Sequence, residues 1–371
     1  MDALRLRNSF SKIVMHGDEV PLFFYSDLFI KHPEVRDLFP ISMRAQREHL
    51  IGALGQIVAQ VDRVDDLGVF LRGLGRDHRK FGAIAAHYDA VGDSLLATLE
   101  HFAGDAWTPE IAADWTDAYR TVAGAMMAAA QADEAAGPAF WQATVISCER
   151  KAFDICVLQV RTEPRLDFLP GQSVAIESAH RPRLWRYYSI ANAPRHDGTL
   201  DFHVRLIDGG AVSIALTYGQ AVGDSLRLGP PVGVLTLDTT SRRDILMVAG
   251  STGLAPLKAI TQQVCGLAEP PHVHLFFCAK AADGLYDLPS LEKMAAEYHW
   301  LTVVPIVTAD RRSGSEKATV PDVVTRTGNW SGHDAYLAGP TEMVREMSAR
   351  LVAGGTPRER IHVEDFGWSE P

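Results

Sequence analysis

A cation, an aromatic ring and a hydroxyl group stand close together in a short segment near the middle of the chain. Residues 186–192 contain two tyrosines and a β-branched residue, a composition typical of a strand. Side chains alternate along a strand, so Arg186 and Tyr188 lie on one face. A guanidinium suits a diphosphate, a phenol ring offers a stacking surface, and the Ser189 hydroxyl can bond a ring nitrogen. These groups suit a flavin nucleotide, although an ordinary amphipathic strand with an exposed arginine has the same composition.

Three glycine turns can bring the backbone close to a phosphate group. Gly209 and Gly210 precede a short helical pattern, and residues 250–253 follow an apolar strand pattern. Glycines ahead of a helix expose backbone N–H groups, which bind phosphate. Gly339 and Pro340 follow a later strand, at the edge of a sheet where ligands collect. Each turn also occurs in proteins that bind no ligand there, so a plain turn is the alternative in each case.

His78 is the candidate metal ligand in the first third of the chain. It stands at the end of a helical pattern, where a neutral imidazole can bind haem iron from one side. Tyr88 follows further along and can hydrogen-bond back toward the imidazole. The chain has 14 histidines, and a surface histidine in a charged turn is the alternative for any one of them. On the opposite side, two residues can donate hydrogen bonds to dioxygen and two can wall the pocket: Tyr25 and Gln46, then Phe39 and Leu50.

Three kinds of periodicity follow one another along the chain. Apolar residues recur at helical spacing in four runs of residues 1–137, which predicts an all-α domain of about six to eight helices. Short strand patterns with turns between them fill residues 138–237 and predict a small antiparallel barrel. Strand patterns alternate with helical ones in residues 238–371, which predicts an α/β domain with a parallel sheet. The helical runs span 20–30, 49–61, 67–74 and 90–102.

Composition excludes several classes of protein. The net charge of −10 and the lack of a Lys or Arg block argue against a nucleic-acid binder. No apolar run approaches the roughly 20 residues of a membrane helix, and residues 1–11 lack the apolar segment of a secretory signal. The four cysteines show no CxxC spacing, so a reducing cytoplasm is the expected compartment. No pattern in the sequence predicts the oligomeric state.

The order of the candidate residues in the first third resembles the globin domain of the flavohemoglobins. The resemblance implies that His78 is the proximal ligand of haem b, that Tyr25 and Gln46 face the distal side, and that Phe39 stacks on the haem. Trp115 then begins a segment like the last helix of that domain.

One departure concerns the carboxylate that joins the proximal histidine to Tyr88 in that family. Ala130 stands where the family has this glutamate, and the nearest acids are Asp133 and Glu134. A carboxylate there would push electron density onto iron. We therefore expect a weaker push for dioxygen activation.

The middle of the chain resembles the flavin domain of the ferredoxin–NADP reductase superfamily. The motif PGQ at 170–172 is followed by RxYS at 186–189 and GGxVS at 209–213. The resemblance implies that Arg186 holds the FAD diphosphate, Tyr188 stacks on the isoalloxazine and Ser189 bonds near its reactive nitrogen. Ser173 replaces the tyrosine that often follows PGQ in flavohemoglobins. The same resemblance assigns phosphate contacts to Gly210, Val212 and Ser213.

The last third resembles the nicotinamide-binding domain of the same superfamily. Ala338 replaces the cysteine of the usual CGP motif, which removes a thiol from beside the nicotinamide. No Arg or Lys cluster marks a 2′-phosphate site, so NADH is favoured over NADPH. Phe366 would cover the flavin ring in the absence of nicotinamide, with Glu364 nearby. The residues that the resemblance assigns to nicotinamide dinucleotide binding are Gly250, Thr252, Gly253, Pro256, Gly339 and Pro340.

The resemblance to flavohemoglobins extends over essentially the whole chain. It implies a globin domain at 1–137, an FAD-binding β-barrel at 138–237 and an NAD-binding α/β domain at 238–371. In the implied reaction, NADH transfers a hydride to FAD, and FAD passes single electrons to the haem iron. Nitric oxide then reacts with dioxygen at the haem and is converted to nitrate. Two alternatives remain. One is a FAD–haem oxidoreductase that uses another donor, such as D-lactate, in oxidative-stress defence. The other is a haem-based gas or redox sensor.

Overall fold

The computed structural model of the chain describes residues 1–308 and 319–366. The described residues divide into two units, of which one is Met1–Phe140 and the other begins at Trp141. The predicted boundaries after residues 137 and 237 fall in segments between regular elements and stay predictions. Gly367, the residue after the predicted cover of the flavin, lies outside the described residues. Among the residues described, the helices lack the length or the continuous apolar stretch that crossing a lipid bilayer requires.

The first unit is all helical, as the spacing of its apolar residues predicts. Asp2 caps the first helix by accepting from two backbone N–H groups, and Thr108 caps the last, which has proline at its first position. Three of the four predicted runs lie within one helix each, and the run 49–61 extends one residue beyond the end of the third helix. The six helices are α1 (Ala3–Ile13), α2 (Glu19–Lys31), α3 (Arg44–Gln60), α4 (Val64–Lys80), α5 (Ala85–Ala103) and α6 (Pro109–Ala136).

Two glycines allow helices of this unit to cross closely. A β-carbon at Gly75 of α4 would lie 2.3 Å from the main-chain oxygen of Met126 in α6. A β-carbon at Gly92 of α5 would lie 2.5 Å from the ring of Tyr119, also in α6. At distances this far below van der Waals contact, any added side chain would force the opposing backbone or ring to shift. Both crossings therefore fix α4 and α5 against the long last helix.

The second unit begins with an antiparallel sheet, as predicted. Every pair of neighbouring strands is antiparallel, and an isolated bridge joins Ile190 to Phe202. The bridge brings the end of the fourth strand to the fifth, so the sheet curls toward a barrel. The strand order is β4-β3-β6-β1-β2-β5. The elements are β1 (Trp141–Ala152), β2 (Ile155–Glu163), β3 (Ser173–Ser178), β4 (Trp185–Ser189), β5 (Thr199–Arg205), α7 (Ala211–Tyr218) and β6 (Ser225–Leu228).

A parallel sheet with helices on both faces completes the unit, again as predicted. The strand order is β11-β10-β7-β8-β9, and each neighbouring pair is parallel. Its first strand in the chain, residues 245–250, is buried along its whole length. Alternate residues of this strand point to opposite faces of the sheet, so Met247 belongs to one apolar cluster and Val248 to another. The elements are β7 (Ile245–Gly250), α8 (Leu254–Val264), β8 (Val273–Ala279), α9 (Leu288–Glu297), β9 (Leu301–Val307), α10 (Val320–Thr327), β10 (Asp334–Gly339), α11 (Thr341–Ala353) and β11 (Ile361–Asp365).

Candidate functional site

His78 is held in the last turn of α4 by the helix itself. Its Nδ1 atom lies 2.8 Å from the main-chain oxygen of Leu74, four residues earlier. A carbonyl accepts only, so Nδ1 carries the proton and donates, and the lone pair of the neutral ring is on Nε2. Burial lowers the pKa of His78, which favours the neutral form that binds metals. The arrangement leaves Nε2 as the nitrogen that can ligate iron.

Tyr88 lies near this imidazole with an unsatisfied hydroxyl group. The rings of His78 and Tyr88 are 6.4 Å apart, and the Tyr119 hydroxyl donates to the main-chain oxygen of Tyr88. The Tyr88 hydroxyl is buried and has no hydrogen-bond partner among residues 1–308 and 319–366. Buried polar groups are almost always paired, and this hydroxyl lacks an acceptor among those residues. Ala130, where the resemblance predicts the family's glutamate, has no acceptor in its side chain.

The two acids that follow Ala130 do not replace that glutamate. Asp133 pairs with Arg79, whose Nη2 also donates to the main-chain oxygen of Gly137 at 2.8 Å. Glu134 is exposed. Asp133 therefore joins the end of α4 to the end of α6, while His78 keeps a backbone carbonyl as the acceptor for its Nδ1 proton.

Tyr25, Phe39 and Gln46 are brought together, as the predicted distal pocket requires. The Tyr25 hydroxyl donates to the main-chain oxygen of Gln46 at 3.1 Å, and its ring lies edge-on to Phe39 at 5.5 Å. Burial raises the pKa of Tyr25 and keeps the phenol a neutral donor. The Gln46 Oε1 atom is buried, and the described part of the chain offers it no hydrogen-bond partner. A buried polar atom without such a partner is consistent with a pocket in which a ligand supplies the missing hydrogen bond.

The predicted haem residues divide between two apolar clusters of the first unit. Tyr25 is in the larger cluster, and Phe39 and Leu50 pack against it. Leu74 and Tyr88 pack against the smaller cluster, beside His78. A haem is a flat, largely apolar group that needs apolar side chains on both of its faces. One cluster carries the predicted distal residues and the other lies beside His78, so the residues present suit a haem.

The predicted flavin residues lie on β4, which pairs with β3 in the antiparallel sheet. Arg186 is opposite Ile176 and Tyr188 opposite Val174, so both belong to one face. The Arg186 guanidinium donates to the Trp185 main-chain oxygen at 2.9 Å. The Tyr188 ring packs against the core of the sheet, and burial raises the pKa of its hydroxyl. The ring and the cation are placed side by side, as a flavin nucleotide requires.

The turn before α7 is closed by its own hydrogen bonds. The Ser213 hydroxyl donates to the main-chain oxygen of Gly210 at 3.0 Å and accepts from the N–H of Ile207 at 3.1 Å. A β-carbon at Gly210 would lie 2.6 Å from the Ser213 hydroxyl oxygen. Val212 is buried in the core of the sheet. The predicted phosphate contacts of Val212 and Ser213 therefore rest on their backbone N–H groups, near the start of α7.

The two glycine turns of the parallel sheet lie against each other. A β-carbon at Gly253 would lie 2.1 Å from the main-chain oxygen of Ala338, and one at Gly339 would lie 2.9 Å from that of Gly250. Gly339 also has a φ of +147°, which favours glycine. Thr252 is half-buried in the first turn, and Pro256 is buried just after it in α8. The predicted dinucleotide residues thus meet at the carboxyl edge of β7 and β10.

The last strand brings an acid to the flavin residues. Glu364 pairs with Ala338 in the sheet, and the Ser189 hydroxyl lies 3.3 Å from both of its carboxylate oxygens. Burial raises the pKa of Glu364 to about 7. The Phe366 N–H donates to the main-chain oxygen of Gly339 at 2.9 Å. Glu364 therefore links β4 to the last strand of the parallel sheet, and the backbone of Phe366 lies beside the Gly339 turn; the flavin-covering role of Phe366 stays a prediction.

Sequence reasoning missed several residues that position this site. Gln262 of α8 accepts from the N–H of Ala193, and Arg205 lies 3.4 Å from the hydroxyl of Ser251, a non-glycine residue at a φ of +55°. The first contact joins the end of the flavin strand to α8, and the second joins the antiparallel sheet to the glycine turn before that helix. They are long-range contacts without a local pattern. Gly75 has a local signal, because a glycine inside a helix usually has a packing reason.

Three family models match successive parts of the chain. They are Globin over residues 22–126, Oxidoreductase FAD-binding domain over 142–237 and Oxidoreductase NAD-binding domain over 247–349. A flavohemoprotein of Bacillus subtilis is 24% identical, over 98% of this chain and 96% of its own length. The reductase component of naphthalene 1,2-dioxygenase/salicylate 5-hydroxylase systems of a Ralstonia species is 31% identical, over 60% of this chain and 68% of its own.

A solved flavohemoglobin has the same architecture. The protein from Malassezia yamatoensis, which has bound FAD and haem, matches with a TM-score of 0.77 at 17% identity and covers 98% of both chains. At that identity the likeness concerns the fold. Globin, FAD-binding and NAD-binding domains thus follow one another as in the full-length relatives, and the chain belongs to the flavohemoglobin family.

Proposed function

We propose that this protein is an NADH-driven nitric oxide dioxygenase that passes electrons through FAD to a b-type haem and yields nitrate. The observation that carries the haem assignment is the geometry of His78. Its Nδ1–H group donates a hydrogen bond to the main-chain oxygen of Leu74, so the lone pair of Nε2 is free to bind iron. Membership of the flavohemoglobin family supports the order of the domains. The proposed compartment is the cytoplasm, where nicotinamide dinucleotides and a reducing thiol pool are present.

Each group of residues has a separate task in this proposal. When bound, FAD takes a hydride and passes on single electrons, and haem iron uses them in dioxygen chemistry. The Gly250 and Gly339 turns hold the dinucleotide, and Arg186 holds the diphosphate of the flavin. Tyr188 supplies the stacking surface. Ser189 and Glu364, which are in hydrogen-bond contact, hold or move a proton beside the flavin.

On the haem side, the proposed tasks are binding and orientation. His78 binds iron, while Tyr25 and Gln46 orient dioxygen and nitric oxide through the phenol hydroxyl and the side-chain amide N–H groups, which can donate hydrogen bonds. Because His78 donates to a backbone carbonyl, it is a weaker electron donor than an imidazole bonded to a carboxylate. We therefore propose that the reaction proceeds with a weaker push onto iron than in relatives that retain the glutamate.

The first test is anaerobic mixing of the purified holoenzyme with NADH, followed by absorption of the flavin and the haem. We expect the flavin to bleach first and the haem to become ferrous within seconds. Nitric oxide added in air should then be consumed with nitrate as the product. If D-lactate bleaches the flavin and NADH does not, the electron donor is not NADH and the alternative oxidoreductase is supported. If the haem is reduced but nitric oxide is not consumed, the result supports a haem-based sensor.

A histidine variant tests the haem assignment directly. His78→Ala should abolish the Soret band because it removes the iron ligand. His49→Ala is the matched control, since His49 is exposed on α3 of the same unit. The assignment is wrong if His78→Ala keeps the full Soret band of the His49→Ala protein.

A further inference from the structure

Two cysteine sulfurs lie next to each other in the antiparallel sheet. Cys148 of β1 and Cys156 of β2 are free thiols, and their Sγ atoms are 2.6 Å apart. Cys148 is opposite Leu158, and Cys156 is opposite Arg150 on the neighbouring antiparallel strand. The cysteines are therefore diagonal neighbours on one face of the hairpin. A disulfide bond is about 2.05 Å long, so closing it asks for a movement of about half an ångström from these positions.

The two thiols have different surroundings, which gives them different chemistry. Cys148 is half-buried, while Cys156 is buried with 1% of its surface exposed. The hydrogen bond from Cys156 and the nearby Arg150 lower the pKa of Cys148 to about 7. The same hydrogen bond and burial raise the pKa of Cys156. Cys148 is therefore the nucleophile of the pair, because the thiolate is the reactive form of cysteine and because it has access to solvent.

We propose that Cys148 and Cys156 are a peroxide-reactive dithiol that closes to a disulfide within the folded protein. The Cys148 thiolate attacks one oxygen of hydrogen peroxide, the O–O bond breaks, and a sulfenic acid and water form after one proton is taken up. The Cys156 sulfur then attacks the Cys148 sulfur, and the hydroxyl group leaves as a second water. The two thiols lose two electrons and two protons, and one peroxide is reduced to two waters. A dithiol reductant reverses the reaction by exchange.

The pair lies beneath the C-terminal half of α7. The Cys148 sulfur is 3.8 Å from the main-chain oxygen of Leu216, and the Arg150 guanidinium lies 4.4 Å from the ring centre of Tyr218. The candidate phosphate turn at Gly210 precedes the other end of this helix. The oxidation therefore needs no change at the flavin residues, and it is independent of the electron donor and of nitric oxide turnover.

Trypsin makes the bond directly measurable. It cleaves after Arg150 and Lys151, so the two cysteines fall on separate peptides, residues 121–150 and 152–161. The full-length protein is treated with one equivalent of hydrogen peroxide, blocked with iodoacetamide and digested without reductant. We expect the two peptides to be joined, to separate on reduction, and to come from protein that runs as a monomer on a non-reducing gel. Circular dichroism of the treated protein should be unchanged.

Variants separate the roles of the two thiols. Cys156→Ser should leave Cys148 as a sulfenic acid that dimedone traps, whereas Cys148→Ser should leave Cys156 unreacted. Cys265→Ser is the matched control, because Cys265 is also half-buried and should not affect the linked peptides. Three results would each overturn the inference. They are a lack of linked peptides in folded wild-type protein, linkage only between separate molecules, and sulfenic acid on Cys156 in Cys148→Ser.

Discussion

Glu364 shows how one half-buried side chain joins the two sheets of the second unit. It is on the last strand of the parallel sheet, yet its carboxylate lies 3.3 Å from the Ser189 hydroxyl of the antiparallel sheet. Burial raises its pKa to about 7 from the ordinary 4.5, and the hydrogen bond from Ser189 partly opposes the shift. Near neutral pH the group is thus present in both protonation states, which suits a residue that accepts and returns a proton.

The shifted pKa of Glu364 predicts a pH dependence of stability. The folded protein binds this proton more tightly than the unfolded chain does. The group therefore contributes fully below about pH 4.5, and the contribution is lost as the pH rises through about 7. Glu364→Gln lacks this loss, so we expect the stability of the variant relative to wild type to rise by up to about 3 kcal/mol between about pH 5 and pH 8. Urea unfolding at a series of pH values measures it.

Two further variants control this prediction. Glu342→Gln alters an exposed glutamate of α11 and should keep the wild-type dependence on pH. Ser189→Ala removes the hydrogen bond that favours the carboxylate and so raises the pKa of Glu364 in the folded protein further, so the loss of stability should still begin near pH 4.5 but should continue to higher pH values. If Glu364→Gln and wild type change in parallel across the whole range, Glu364 does not titrate near neutrality.

At the scale of elements, the crossing of α4 and α6 sets the position of His78. Gly75 is three residues before His78, and a β-carbon there would lie 2.3 Å from the main-chain oxygen of Met126. Backbone atoms cannot move aside as a flexible side chain can, so any larger residue must separate the two helices. Gly73 is in the same helix, and a β-carbon there meets nothing within 4 Å.

The two glycines therefore predict opposite effects of the same substitution. Gly75→Ala should destabilise the first unit by about 1–3 kcal/mol through overpacking and should weaken haem retention. Gly73→Ala should stabilise it by up to about 1 kcal/mol, because alanine is the better helix former and has room. Thermal unfolding and the ratio of the Soret band to protein absorption measure both. Equal effects of the two variants would contradict the close crossing.

The elements were largely predictable from sequence, because apolar periodicity follows burial. The antiparallel and parallel strands and the helical runs follow one another in the predicted order, but the strand expected over 186–192 ends at Ser189 and the helix expected from Trp115 begins at Pro109. Helix ends were less predictable. The helix expected from residue 49 starts at Arg44, because its first turn is polar and adds nothing to the apolar pattern. Similarly, β1 continues to Ala152 through a polar, bulged segment that breaks the alternation.

The contacts of the site were less predictable than its residues. The sequence indicates Tyr25 and Gln46, but not that the phenol donates to the Gln46 backbone and leaves the amide oxygen unpaired. It indicates Ser213, but not that its hydroxyl closes the turn at Gly210. Such pairings depend on distances across the fold, which residue types and local spacing do not encode. The proximity of Cys148 to Cys156 likewise depends on the register between β1 and β2.

At the scale of the molecule, the chain consists of two units with separate apolar cores. The clusters around Leu28 and Leu71 belong to the first unit, and those around Val160, Met247 and Val248 belong to the second. The predicted haem residues are all in the first unit, and the predicted flavin and nicotinamide residues are all in the second. A ligand that binds only the folded form stabilises the unit that holds it, by about 2.7 kcal/mol at a hundred times its dissociation constant.

We therefore expect two unfolding transitions in calorimetry, each of which responds to a different cofactor. Haem should raise the transition of the first unit and FAD that of the second, because each cofactor's predicted residues lie in one unit. His78→Ala should remove the response to haem and keep the response to FAD, whereas Tyr188→Ala should do the reverse. One transition that rises with both cofactors would show that the units unfold together. In that case Gly75→Ala, although it lies in the first unit, would also lower the unfolding temperature of the unit with the predicted flavin residues.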